Sequence, residues 1–133
     1  MLQENVQMAR ELIEAWNLRD IDALLAAAAP DVEWTPAGPA AVERSVYRGR
    51  EEIARGFEST WLGWAEFRLD ESEIRDLGQS ALWLGRAKMR GAASHVRLDQ
   101  EWAILIVFTD RAVTSLRAFP AWRDALKAAG LEE

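Results

Sequence analysis

The chain has 133 residues, half of them hydrophobic, with 22 Asp and Glu against 16 Lys and Arg and no cysteine. This length and apolar fraction predict one domain over residues 1–133 with a packed core. The net charge of −6 argues against a nucleic-acid partner, and the lack of cysteine excludes disulfides, thiol catalysis and thiolate metal sites.

From Asn5 to Asn17 the apolar residues Val6, Ala9, Leu12, Ile13 and Trp16 recur at helical spacing on one face. "NLRD" breaks this helix, and Asp20 suits the N-cap of a second one over Ile21–Ala29, stopped by Pro30. In "PDVEWTP", Val32 and Trp34 alternate with Glu33 and Thr35, the period of a strand with one buried face. Its indole either fills the core or walls a cavity. "PAGPAAVERS" reads as a loop, and "VYRG" leads into a third helix that starts near Arg50 or Glu51. That helix carries the stripe Ile53, Phe57 and Trp61, with Trp64 one turn further, and Gly63 ends it. The period then becomes two. Strands are predicted at Phe67–Ile74, Ala81–Arg90, Val96–Thr109 and Ala112–Phe119, with turns at "DLG", "GAAS" and "TDR". Pro120 opens a short terminal helix that Gly130 stops. Helices first and an antiparallel meander after them make an α+β domain.

The strings "EAWNLRDIDALLAAAAPDVEW", "VYRGREEIARGF" and "VRLDQEWAILIVFTDRAVTSLRAFP" follow one another over nearly the whole chain. In that order they resemble the SnoaL-like, or polyketide cyclase-like, branch of the nuclear transport factor 2-like superfamily. The resemblance implies a cone: a curved antiparallel sheet wrapped around three N-terminal helices, with a pocket at its open end. It also implies that the strand holding Trp34 passes beside the pocket. Family members include cyclases, isomerases, dehydratases, epoxide hydrolases and ligand-binding domains without chemistry, so fold alone does not assign activity. Where the ketosteroid isomerases place a base, a tyrosine and a second acid, this chain has Trp34 or Thr35, Leu12 and Ala103. Where cyclases carry an acid at the end of the last strand, it has Phe119, Pro120 and Ala121. Isomerase chemistry of that kind is not expected.

Seven tryptophans stand against one tyrosine. Trp16, Trp34, Phe57, Trp61, Trp83, Trp102 and Phe119 are read on the inward phase of their elements, as core or, given the hollow family cone, as ligand-binding wall. Tyr47 adds a hydroxyl at the loop exit. Gln100 shares the core-side phase of its strand with Leu98, Trp102 and Ile104, so its amide needs a partner in the protein or in a ligand. Arg117, taken in phase with Ser115 and Phe119, is placed inward, either to clamp a ligand carboxylate or carbonyl or to pair with Glu33 or another acid. His95, Asp99 and Glu101 fall on the opposite, convex face, where a charged surface is the ordinary outcome.

No glycine-rich phosphate loop, nucleophile elbow or carboxylate pair is present, and no cofactor or metal is expected. No basic-then-apolar leader opens the chain, and the run Ala103–Phe108 is far short of the ~20 residues of a membrane span, so a cytoplasmic location and no membrane partner are expected. Ala103, Leu105 and Val107, with Leu82, Leu84, Leu116 and Ala118, read as an apolar patch on the convex face and predict a homodimer through it. Two readings stay open. One is a binding protein for an apolar or polycyclic small molecule, any chemistry being general acid–base work of the cyclase, isomerase or dehydratase type. The other is a non-catalytic ligand-binding or dimerisation module.

Overall fold

The computed structural model describes residues 2–37 and 45–131; the middle of the predicted loop, residues 38–44, lies outside them. In chain order the elements are α1 (Leu2–Asn17), α2 (Ile21–Ala26), β1 (Ala28–Thr35), β2 (Tyr47–Arg48), α3 (Arg50–Gly63), β3 (Trp64–Asp76), β4 (Ser80–Gly91), β5 (Arg97–Thr109), β6 (Ala112–Phe119) and α4 (Trp122–Ala128). The strands form one sheet in the order β2-β1-β6-β5-β4-β3. All neighbours are antiparallel except β1 and β6, which run parallel, so the sheet is mixed and the domain is the expected α+β cone.

Local chemistry explains most boundaries. Asp20 caps α2 by accepting from the Ala23 amide at 3.1 Å. The helix ends three residues earlier than predicted, at Ala26, because Ala28 and Ala29 are buried and Ala28 pairs with Val113 as the start of β1. Pro30 therefore lies inside a strand instead of stopping a helix; it is exposed there. Alanine suits a helix, but burial at the sheet overrides propensity. Arg19 has φ 54 and closes α1, with its amide donating to Trp16 and that of Asp20 to Ala15.

Bulges bend the sheet. Where β3 meets β4, Glu71 faces Gly85 and Glu73 faces Leu84, so Ser72 is extra; Ala65 is extra in the same way. Where β6 meets β5, Val113 faces Phe108 and Ser115 faces Val107, which leaves Thr114 as the inserted residue. This bulge switches the phase of β6. Val113 points inward, but beyond Thr114 it is Leu116 and Ala118 that do so.

Two apolar layers result. The inner one packs α1, α2 and α3 against the concave face through Trp16, Val32, Ile53, Phe57, Trp83 and Ile106, among others. The outer one joins Leu82, Leu84, Ala103 and Leu105 to Ala125, Leu126 and Trp122 of α4. Leu82, Leu84 and Ala103 are at most 1% exposed, covered by the chain's own terminal helix. The convex patch from which a homodimer was predicted thus has an intramolecular cover. Two of its supposed members, Leu116 and Ala118, face the other way.

Candidate functional site

A cavity of about 50 Å3 lies inside the cone, between α1, α3 and the concave face. Its wall includes five aromatic rings, those of Trp16, Trp34, Phe57, Phe67 and Trp102. Leu12, Ile13, Leu24, Leu69, Ile104 and Leu116 fill the aliphatic sectors, and Ala37, Ala118 and Thr60 complete it. Each aromatic ring is fixed by another. Trp16 meets Phe57 edge-on at 5.3 Å and Phe67 at 5.2 Å, and its indole N–H donates to the Phe67 carbonyl at 3.1 Å. Phe67 in turn meets Trp102 at 5.7 Å. Trp34 is held between a stacked Tyr47 at 4.9 Å and the edge of Phe57 at 4.5 Å.

Of the residues singled out from the sequence, Trp16, Trp34, Phe57 and Trp102 line this cavity. Tyr47 and Trp61 stand one shell behind: Tyr47 backs Trp34, and Trp61 backs Trp16 at 5.2 Å. Trp83 is wholly buried in the inner core and belongs to the packing, not the wall. Gln100 is half-buried in the core-side phase, opposite Ala87, and does not reach the lining.

Arg117 and Phe119 are on the wrong face for the role assigned to them. The bulge at Thr114 turns both outward, where Arg117 is exposed and its guanidinium stacks over the Phe119 ring at 5.1 Å. Glu33, the acid considered as its partner, instead meets Arg48 at 3.4 Å across β1 and β2. Phe67, Leu69, Ile104, Leu116 and Ala118 were missed. Strand alternation alone marks Phe67, Leu69 and Ile104, whereas Leu116 and Ala118 require knowledge of the bulge.

The lining is almost entirely apolar. Thr60 carries the one hydroxyl of the described wall, which donates to the Gly56 carbonyl at 2.8 Å, and the indole N–H groups of Trp16, Trp34 and Trp102 are its other polar side-chain atoms, that of Trp16 being taken by Phe67. Among the described residues no acid, base or other titratable group lines the cavity; Glu43 and Arg44 lie outside them. Glu71 shares the inward phase of β3 but is taken by Arg10, which donates to both carboxylate oxygens at 3.0 and 2.8 Å. The guanidinium holds this carboxyl below the usual range, against a smaller opposing effect of burial. The three polar places of an isomerase stay vacant of acids. Leu12 and Trp34 are in the wall, Ala103 faces outward under α4, and its wall-lining neighbours are Trp102 and Ile104.

On the convex face Asp99 accepts from Arg86 at 2.7 Å, and Glu101 accepts from the Trp122 amide at 2.9 Å. His95 sits in the β4–β5 turn with φ 60. Among the described residues no cluster of three or more His, Cys, Asp or Glu is placed to hold a metal ion, and no helix is long and apolar enough to cross a membrane.

The sequence matches the SnoaL-like domain over residues 9–118. No curated protein matches it. Among solved structures, an NTF2-like protein of unknown function from Burkholderia pseudomallei superposes with a TM-score of 0.80 at 24% identity, covering 93% of this chain and 95% of that one. An NTF2-like protein from Burkholderia xenovorans gives 0.75 at 26% identity, covering 90% of each chain. TerC, crystallised with polyporic acid, gives 0.78 at 15% identity over 96% of this chain and 98% of its own.

Proposed function

Because the chain belongs to the SnoaL-like domain family, we propose that it binds a small apolar or aromatic molecule in the cavity between α1, α3 and the concave sheet face. One observation carries this: five aromatic rings converge on a void that has no titratable group among its described lining. Such a surface gains by excluding water from an apolar guest and offers nothing to a charged one. A protein of this fold, TerC, has been crystallised with an organic small molecule, polyporic acid, which supports the class of ligand.

Size narrows the ligand. A void of ~150 Å3 lined by aliphatic and aromatic side chains accepts benzene, and the cavity here is about 50 Å3. The void is about a third of that size, so a single ring enters only as lining side chains give way, and a polycycle would have to displace Trp16 or Trp34 outright. General acid–base chemistry finds no proton donor or acceptor in the described wall beyond Thr60, so the reading stops at binding. It needs no second copy of the chain, no nucleic acid and no membrane, and the net charge of −6 supports the second of these exclusions.

A thermal-shift series with benzene, indole, naphthalene and a tricyclic aromatic tests it. At a hundredfold excess over Kd a ligand adds ~2.7 kcal/mol of stability. Benzene and indole are expected to raise Tm and to perturb tryptophan fluorescence, with the effect falling off at three rings. No shift with any member would overturn the proposal.

A further inference from the structure

A second, wider groove lies against the back of the cavity. Met8 and Glu11 of α1, Ala23 and Ala26 of α2, Ala27, and Arg111 and Val113 of the β5–β6 hairpin line it, and its volume is about 410 Å3. Leu12 lines both voids. One leucine side chain, 6% exposed, is therefore a shared wall between a small apolar cavity and a groove several times larger. The lining of the groove is largely apolar, with Ala23 and Ala26 of α2 and Ala27 contributing small side chains there. Its rim carries one carboxylate, Glu11, and one guanidinium, Arg111, the latter paired with Glu4 at 3.1 Å.

We propose that cavity and groove are two halves of one divided site, that Leu12 is the movable partition, and that the ligand is a single-chain amphiphile. Its apolar chain starts among the aromatic rings, passes Leu12 and runs over the alanines of α2. Its polar end rests at the rim beside Glu11 and Arg111. The chemistry on each side requires this polarity. The cavity offers only the indole N–H groups of Trp34 and Trp102 and a Thr60 hydroxyl already donating to Gly56, with no charged group in its described lining, so a charged or strongly hydrated head has to lie outside it. The groove alone offers an apolar floor between two charged side chains, which suits the outer part of such a molecule. Leucine fits the partition because it swings between staggered rotamers without leaving a polar group unpaired. The inference rests on the binding function proposed above and adds the chain-like ligand and the second compartment.

Straight-chain alcohols from butanol to decanol are the probes, with benzene as the control for the cavity. In the wild-type protein each added methylene is expected to tighten binding about fourfold, continuing past the length that the cavity alone holds. Ala26→Trp places an indole in the groove from an exposed position of α2 and leaves the cavity untouched. It should leave benzene and butanol affinity unchanged and abolish the gain beyond the shorter alcohols, at least tenfold for decanol. Leu12→Ala should increase decanol affinity relative to butanol, and adding Ala26→Trp to it should cancel that increase. Should Leu12→Ala not fold, the Ala26→Trp comparison decides alone. Long-chain affinity unchanged by Ala26→Trp, with benzene still bound, would overturn the divided site and keep the cavity. Absence of benzene and alcohol binding alike would overturn both.

Discussion

Gly56 lies in the middle of α3, where a glycine costs ~1 kcal/mol relative to alanine. The reason is across the groove of the helix. A Cβ there would stand 2.7 Å from Cε2 of Tyr47 and 3.0 Å from Cζ3 of Trp34. Absence of a side chain lets the stacked Tyr47–Trp34 pair approach the helix, and this approach leaves the cavity open on the other side of Trp34. Gly56→Ala should push the indole into the void. The gain in helix propensity is outweighed by ~1–3 kcal/mol of overpacking, and benzene affinity should fall at least tenfold. Urea denaturation and a fluorescence titration measure the two effects. A variant that binds benzene like the wild type would show that Tyr47 yields and Trp34 does not. Arg19 illustrates the same principle with opposite chemistry. Its left-handed backbone would suit glycine, but its guanidinium donates to the carbonyls of Trp61 and Trp64 and fastens the end of α1 to the α3–β3 junction.

At the scale of elements, β3 is the last strand of the sheet among the described residues, so its outer edge has no strand partner there. Helix α1 serves that edge. The Asn17 amide donates to the Leu69 carbonyl at 2.9 Å and its oxygen accepts from the Leu69 amide at 2.8 Å, as a neighbouring strand would. Trp16 and Arg10 add contacts to Phe67 and Glu71. The Arg10–Glu71 pair is largely exposed, so solvent screening keeps its contribution small. Because the Glu71 carboxyl is held below its ordinary value in the folded state, its contribution is present above the unfolded glutamate value of ~4.3. It is lost as pH falls through the lower folded value. Glu71→Gln should therefore lower stability by under about 1 kcal/mol at pH 7, with the difference vanishing toward pH 3. Chemical denaturation at the two pH values checks this, and an equal loss at both would assign the effect to packing.

At the scale of the molecule, one sheet is covered on both faces, by three helices within and by α4 without. The cover on the outside is tightly held: the Trp122 indole donates to the carbonyls of Gly85 at 2.9 Å and Trp102 at 3.2 Å. Leu84, 1% exposed under this helix, is an internal residue despite its place on the convex face. Leu84→Arg should bury an unpaired charge and cost more than about 3 kcal/mol. Light scattering should show no change of mass before unfolding. A stable variant of altered mass would instead make the convex face a subunit contact.

Local periodicity determined much of this protein from sequence alone. The α1 stripe, the strand of Trp34 and the long β4 and β5 alternations each follow from which residues repeat at 3.6 or at 2, and those rules need no knowledge of neighbours. The aromatic wall formed by Trp16, Trp34, Phe57 and Trp102 was legible for that reason. Only the tertiary structure decided the rest. Thr114 became a bulge through the register that β6 takes on β5, and this turned Arg117 and Phe119 out while bringing Leu116 and Ala118 into the cavity. Ala28 and Ala29 left their helix because β6 lay beside them. The convex leucines lost their exposure to a helix some forty residues further along the chain than Leu84. In each case the free energy comes from burial against a distant segment, which no local pattern encodes.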